Sequence, residues 1–319
     1  MTNLLLAAGA AMLLGACATT PAIPRVAEPR EVTVPGPNGP LAGTLIEAGA
    51  GTPALLLLPG SGPTDRNGDN ALGVKGAVYR QLAEGLAMRG ITTLRVDKRG
   101  IGGSSTASAN PNDVTIADYV ADTRQWVDLL NAAHPCVWLA GHSEGGLIAL
   151  AAASKMKVCG IVLIAAPGRK LDAILHEQLS ASLPADMLKA TDEAIAELTA
   201  GRTVDPAPLP APVRPLFNPA TQGYLIDMIR QDPAAEVAAL KVPVLIVQGE
   251  EDLQVKPTDA AALAKAQPKA KLVLIPGMNH VFKSAPAGDR AANLKTYGEE
   301  APIVPALVDA IAGFIHAAR

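Results

Sequence analysis

The chain has 319 residues, of which 49% are hydrophobic and 18% charged, and its formal net charge is −3. That composition can build a large buried core and is not that of a disordered chain. The near-balanced charge and an aromatic content of 3% give no footing for nucleic acid, an anionic membrane surface or a stacking platform for bases or sugars.

Residues 4–14 form a short apolar run that ends in Leu14-Gly15-Ala16-Cys17. The run is too short to span a bilayer and reads as a signal peptide over residues 1–16. The tetrapeptide resembles a bacterial lipobox, which makes Cys17 a lipidation candidate. Met1-Thr2-Asn3 departs from that pattern in carrying no Lys or Arg; the alternative is a plain secretory signal cut at another small residue. Ala18 in place of Asp points, by analogy with Gram-negative lipoproteins, to the outer membrane. The expectation is an exported protein, periplasmic or anchored to the outer membrane, that meets the membrane only through a lipid on Cys17. Residues 17–30, rich in Ala, Pro and Thr, read as a tether.

One domain is expected over residues 31–319. Segments 31–34 and 41–46 flank a Pro/Gly/Asn turn and read as an antiparallel pair. Strands and helices then alternate: strand 55–58, helix 77–88 ended by Gly90, strand 92–96, helix 116–133, strand 137–140, helix 144–155 and strand 161–165. The rhythm breaks over about 168–239, where helical stretches 171–183 and 185–200 are followed by a proline-dense run at 205–212. It resumes with strand 244–248, helix 258–266, strand 271–275 and helix 303–316. Near-continuous Leu/Ile/Val strands between amphipathic helices predict a mostly parallel central sheet with helices on both faces. The interruption reads as a helical cap inserted after the sixth strand, since too few residues remain for a second core. Cys136 and Cys159 precede two strands expected to lie side by side, so they form either a disulfide, permitted by export, or two buried thiols.

Gly141-His142-Ser143-Glu144-Gly145 fits G-x-S-x-G, follows a predicted strand and opens a predicted helix, the setting of a nucleophile elbow. Ser143 is therefore the candidate nucleophile. Asp252, just past the carboxyl end of strand 244–248, is the candidate acid, with Glu250 and Glu251 rivals at the same turn. Of the 5 histidines, only His280 follows both residues on a loop at a strand end, which makes it the candidate base. The oxyanion donors expected are the backbone N–H of Glu144 and that of Ser61, whose flanking glycines let a substrate oxygen approach. An alternative for the Ser61 loop, compatible with the first, is a turn held by an Asp65–Arg66 network. Asp97–Ser104 lacks the full glycine pattern of a phosphate loop and reads as a structural turn beside the site.

Three segments carry a resemblance: Gly60-Ser61-Gly62-Pro63-Thr64-Asp65-Arg66, Asp97-Lys98-Arg99-Gly100-Ile101-Gly102-Gly103-Ser104 and His142-Ser143-Glu144-Gly145-Gly146. With the late Asp/His pair they make the chain, over about 32–314, similar to bacterial α/β-hydrolases of the esterase and serine-aminopeptidase-like group. The resemblance implies an α/β-hydrolase fold and a carboxylesterase acting on a small-molecule ester with a short or medium acyl group. It implies an acyl-enzyme on Ser143, and the mechanism requires no metal or organic cofactor. Peptidase and thioesterase chemistry use the same machinery, and a non-catalytic lipoprotein binding module is the competing class. Ser143 stands where epoxide hydrolases and dehalogenases of this fold carry Asp. Oligomeric state leaves no trace in the sequence.

Overall fold

A computed structural model describes residues 27–318. The signal-peptide reading, Cys17 and most of the tether lie outside the described residues. Eight strands form one sheet: β1 (Arg30–Val34), β2 (Leu41–Ile46), β3 (Ala54–Leu58), β4 (Thr92–Val96), β5 (Val137–His142), β6 (Gly160–Ile164), β7 (Val244–Gly249) and β8 (Lys271–Ile275). Their order is β1-β2-β4-β3-β5-β6-β7-β8. β1 and β2 pair antiparallel, as do β2 and β4, and all later neighbours are parallel.

The helices are α1 (Val78–Ala87), α2 (Ile116–Asn131), α3 (Glu144–Ala153), α4 (Leu171–Ser180), α5 (Ala185–Thr199), α6 (Gln222–Arg230), α7 (Pro233–Ala239), α8 (Pro257–Ala266), α9 (Arg290–Lys295) and α10 (Pro305–Ala317). α2 starts at a capping box in which Thr115 and Asp118 satisfy each other's backbone N–H. No described helix is long and apolar enough to cross a membrane.

The all-apolar run of β3 shows why the strands lack alternation. Leu55 and Leu57 enter the cluster packed by α1 and α10, while Leu56 and Leu58 enter the one packed by α2, α3 and α8. Side chains of a strand alternate between faces, and both faces here are covered. Each buried Leu contributes roughly 1.5–3 kcal/mol relative to exposure.

Between β6 and β7 lie α4–α7, twice the number of helices that the sequence predicts there. α6 and α7 are short and follow the proline-dense run, so no sustained helical period marks them. α4, α5 and α6 close over their own apolar cluster around Leu198, Phe217 and Leu225. α7 instead adds Val237 to the cluster beneath α3 and α8. Cys136 and Cys159, at the starts of adjacent β5 and β6, are joined by a disulfide with Cα atoms 5.6 Å apart.

Candidate active site

The carboxyl end of β5 runs into Ser143, whose φ of 52° and ψ of −121° lift it out of the strand before α3 begins. A non-glycine residue held there stores on the order of 1–3 kcal/mol of strain. The small neighbours make the turn possible. A Cβ on Gly141 would collide with the backbone of Gly145, and one on Gly145 with the carbonyls of Leu58 and Pro59. The Ser143 N–H donates to the Ile164 carbonyl of β6 (3.0 Å), so the elbow is seated on the neighbouring strand.

Asp252 lies in the turn after β7 and is buried. Its Oδ1 accepts from the N–H groups of Gln254 (2.8 Å) and Val255 (3.0 Å). Its Oδ2 accepts from Gln248 Nε2 (3.1 Å) and stands 2.8 Å from His280 Nδ1. Since that oxygen can only accept from the ring, the hydrogen-bond pattern places a proton on Nδ1, so that in the neutral tautomer Nε2 is the acceptor. The structure thus brings Asp252 to His280, whereas Glu250 is exposed and, among the described residues, Glu251 makes no hydrogen bond to the ring.

The loop carrying His280 is pinned from several sides. Asn279 Oδ1 accepts from the N–H groups of Val281 and Lys283, and its Nδ2 donates to Asn293 and Thr296. Buried Lys283 donates to the carbonyls of Lys75, Thr296 and Glu299.

Ser143 and His280 line one cavity of about 230 Å³. They are not hydrogen-bonded to each other; such bonds are often long in unliganded sites. Gly60, Ser61, Thr64, Asn70, Leu72, Val74, Val78 and Tyr79 supply most of the remaining wall. The lining therefore comes from the β3–α1 loop and the start of α1, not from the α4–α7 segment. Among the described residues the backbone N–H groups of Ser61 and Glu144 donate to no other group. The Ser61 loop is not held by an Asp65–Arg66 pair. Asp65 Oδ1 accepts from the N–H groups of Asn67 and Asp69, while Arg66 reaches Glu31 and Asp97. Asp97–Ser104 is a structural turn: Asp97 accepts from the N–H groups of Arg66 and Gly103, and Arg99 pairs with Asp118 and Asp122 on α2.

Sequence reasoning passed over His142 as a residue inside the elbow. Its ring is buried, with Nδ1 2.6 Å from the Tyr79 hydroxyl and Nε2 3.0 Å from the His280 carbonyl. The Gly60 N–H donates to the same hydroxyl (3.0 Å). One assignment satisfies every atom: Gly60 N–H to Tyr79 O, Tyr79 O–H to His142 Nδ1, and His142 Nε2–H to the His280 carbonyl. Burial, and next the nearby His280 ring, hold the His142 pKa well below its ordinary 6.5, which keeps that ring neutral. Burial raises the Tyr79 hydroxyl, which stays protonated. No periodicity or motif marks this chain, whose partners lie far apart in sequence.

Because the unfolded chain protonates His142 near pH 6.5 and the folded one resists, stability contributed by neutral His142 is present above pH 6.5 and lost as pH falls below it. Thermal melts of wild type should therefore fall more steeply below pH 6.5 than melts of His142→Asn. The extra slope is at most about 1.4 kcal/mol per pH unit, the limit for one proton. Equal slopes would mean that His142 protonates freely in the fold.

A model of the alpha/beta hydrolase family matches residues 55–292. Esterase EstD of Thermotoga maritima is 26% identical over 296 residues, covering 91% of this chain and 68% of its own length. Among solved structures, the esterase Pf2001 of Pyrococcus furiosus superposes with a TM-score of 0.57 at 17% identity, covering 91% of each chain. Est1E from Butyrivibrio proteoclasticus, with ferulic acid bound, gives 0.57 at 17% identity over 90% of this chain and 98% of its own. At such identities the two structures speak for the fold alone.

Proposed function

Because the chain belongs to the alpha/beta hydrolase family, we propose that it is a serine hydrolase cleaving carboxylic esters through an acyl-enzyme on Ser143. The observation that carries this reading is the 2.8 Å bond between Asp252 and His280 Nδ1. It fixes a proton on Nδ1, so that in the neutral ring Nε2 is the basic nitrogen, and that ring shares its cavity with Ser143.

In the mechanism His280 Nε2 takes the Ser143 proton as Oγ attacks the ester carbonyl. Asp252 holds the tautomer and stabilises the imidazolium. The Ser61 and Glu144 N–H groups donate to the oxyanion. The proton then passes from His280 to the departing alkoxide, leaving an acyl-enzyme. Water deprotonated by His280 attacks the acyl carbon, the bond to Ser143 Oγ breaks to release the acid, and His280 returns the proton to Oγ.

A cavity of about 230 Å³ is well above the roughly 10–15 Å³ that holds a single water. That room, with Val74, Val78 and Val281 in the wall, suits a short or medium acyl group. The esterase relative supports ester over amide. The lipobox-like Leu14-Gly15-Ala16-Cys17 supports an exported, lipid-anchored protein, and the Cys136–Cys159 disulfide suits an oxidising compartment.

One digest tests both parts. Protein expressed with its own N-terminus in a Gram-negative host is treated with a fluorophosphonate probe and analysed by mass spectrometry. The probe is expected on the peptide bearing Ser143, and a diacylglyceryl group on an N-terminal Cys17. Label elsewhere, or none, would remove the serine-hydrolase reading; an N-terminus at another residue would remove the anchor. A rate survey over acyl esters with matched amides and thioesters should favour short esters. Faster amide or thioester cleavage would reassign the bond type.

A further inference from the structure

Lys98 and Glu144 form an ion pair of 2.9 Å with side chains only 6% and 5% exposed. Taking two charges out of water costs several kcal/mol each, and such a pair is often no more stabilising than apolar residues of the same volume. Stability alone gives little reason to place it here. The remaining partners of Lys98 supply one. Its Nζ also donates to the Gly60 carbonyl (2.8 Å) and lies 5.6 Å from the centroid of the Tyr119 ring.

The Gly60 carbonyl and the Ser61 N–H belong to one trans peptide, so they point in opposite directions. Holding the carbonyl on Lys98 fixes where the N–H points, and Gly60 and Ser61 both line the cavity. The preceding peptide is fixed independently, by the bond from the Gly60 N–H to Tyr79. Glu144, the other partner of Lys98, is the residue whose own N–H follows the nucleophile. One ammonium group therefore touches both residues whose amides are the candidate oxyanion donors. A cation on a peptide oxygen also polarises the peptide and strengthens its N–H as a donor.

We propose that Lys98 is the positioning residue of the oxyanion site, setting the orientation of the Ser61 amide and tying it to the elbow through Glu144. It touches neither substrate nor the reacting atoms. The inference rests on the serine-hydrolase reading above. The β3–α1 loop has no regular backbone ladder at Ser61. The flanking peptides are held by Tyr79 and, at the Ser61 carbonyl, by Thr64 Oγ1 (2.9 Å), while Lys98 bonds the peptide that carries the amide itself and sets its final tilt toward a developing charge.

Lys98→Met alone leaves the Glu144 carboxylate buried and unpaired and risks unfolding, so the informative variant is Lys98→Met/Glu144→Gln, which removes both charges. Rates are normalised by active-site titration, so that only competent molecules count. Three quantities are compared with wild type: kcat, KM for a short ester, and Ki for a trifluoromethyl ketone whose hemiketal carries an oxyanion. Loss of one oxyanion donor costs roughly 100- to 1,000-fold in kcat. A misaimed donor should cost roughly 10- to 100-fold, with KM within about threefold and Ki rising in step with the fall in kcat/KM.

Wild-type kcat and Ki per titrated site would overturn the inference. So would KM and Ki rising together with kcat unchanged, since loosened packing would weaken ground state and adduct alike. Ser143→Ala, run beside it, separates the two levels. An active Ser143→Ala removes the reading on which the inference rests; an inactive one beside an unaffected double variant removes the Lys98 inference alone.

Discussion

Replacing Ser143 by Ala should lower kcat for a short ester by roughly 10⁵- to 10⁶-fold while leaving the fold intact. The effect is expected to be chemical because the substitution keeps the Cβ and removes only the hydroxyl. The elbow is held by its backbone: the Ser143 N–H on Ile164, the Gly146 N–H on the Ser143 carbonyl, and close packing at Gly141 and Gly145. None of these uses the hydroxyl. Circular dichroism and melting should match wild type within a few degrees, and the residual rate should reflect binding and the oxyanion donors alone. Retention of even a hundredth of kcat would show that Ser143 does not attack the substrate.

Asp252→Asn is expected to cost about 10⁴-fold in kcat, and the hydrogen bonds around the carboxylate say why. Oδ1 accepts from the N–H groups of Gln254 and Val255, so the carbonyl oxygen of an Asn must sit there. Its NH₂ then occupies the place of Oδ2, facing His280 Nδ1 and the donor Gln248 Nε2. His280 can satisfy that group only by accepting at Nδ1, which moves its proton to Nε2. The nitrogen meant to take the Ser143 proton is then already protonated. Glu251→Gln, on the same turn, should change kcat less than about threefold, as expected for a residue that acts on no reacting group. A larger loss there than in Asp252→Asn would identify Glu251 as the orienting acid.

What could be read in advance follows from the range of the interactions. β5, the elbow and α3 form a local strand–turn–helix whose glycines are adjacent in sequence, so Ser143 announces its own setting. Asp252 and His280 could be nominated because each follows an apolar strand closely and the resemblance to α/β-hydrolases supplies the chain order that limits the choice. Three short helices were not legible. α6 and α7 carry too few turns beyond the prolines to set a period, and α9 has six residues, with Asp289 as its cap. The pairing of Lys98 with Glu144 and the chain from Gly60 through Tyr79 and His142 to His280 were invisible for another reason. They join side chains on different elements, and neither period nor motif encodes such distances. The extent of the cavity wall was hidden likewise: Ser61 placed the start of the β3–α1 loop at the site, but nothing in the sequence marks Asn70, Leu72 and Val74 as wall.

The neutral His142 ring has a consequence for motion. Its two nitrogens are committed in opposite directions, one to the Tyr79 hydroxyl on α1, which in turn accepts from Gly60 in the loop that carries Ser61, and one to the carbonyl of His280. Neither loop can lift away by breaking only exposed bonds. A fluctuation that raises the first must sever a buried contact at Tyr79 or carry His142 with it, and His142 then leaves the second loop without a donor. Opening either the Ser61 loop or the His280 loop thus costs a buried hydrogen bond, at Tyr79 or at the His280 carbonyl, which sets both above the most easily opened parts of the fold. A ligand should therefore enter and leave the cavity through a mouth whose Ser61 and His280 sides both stay in place.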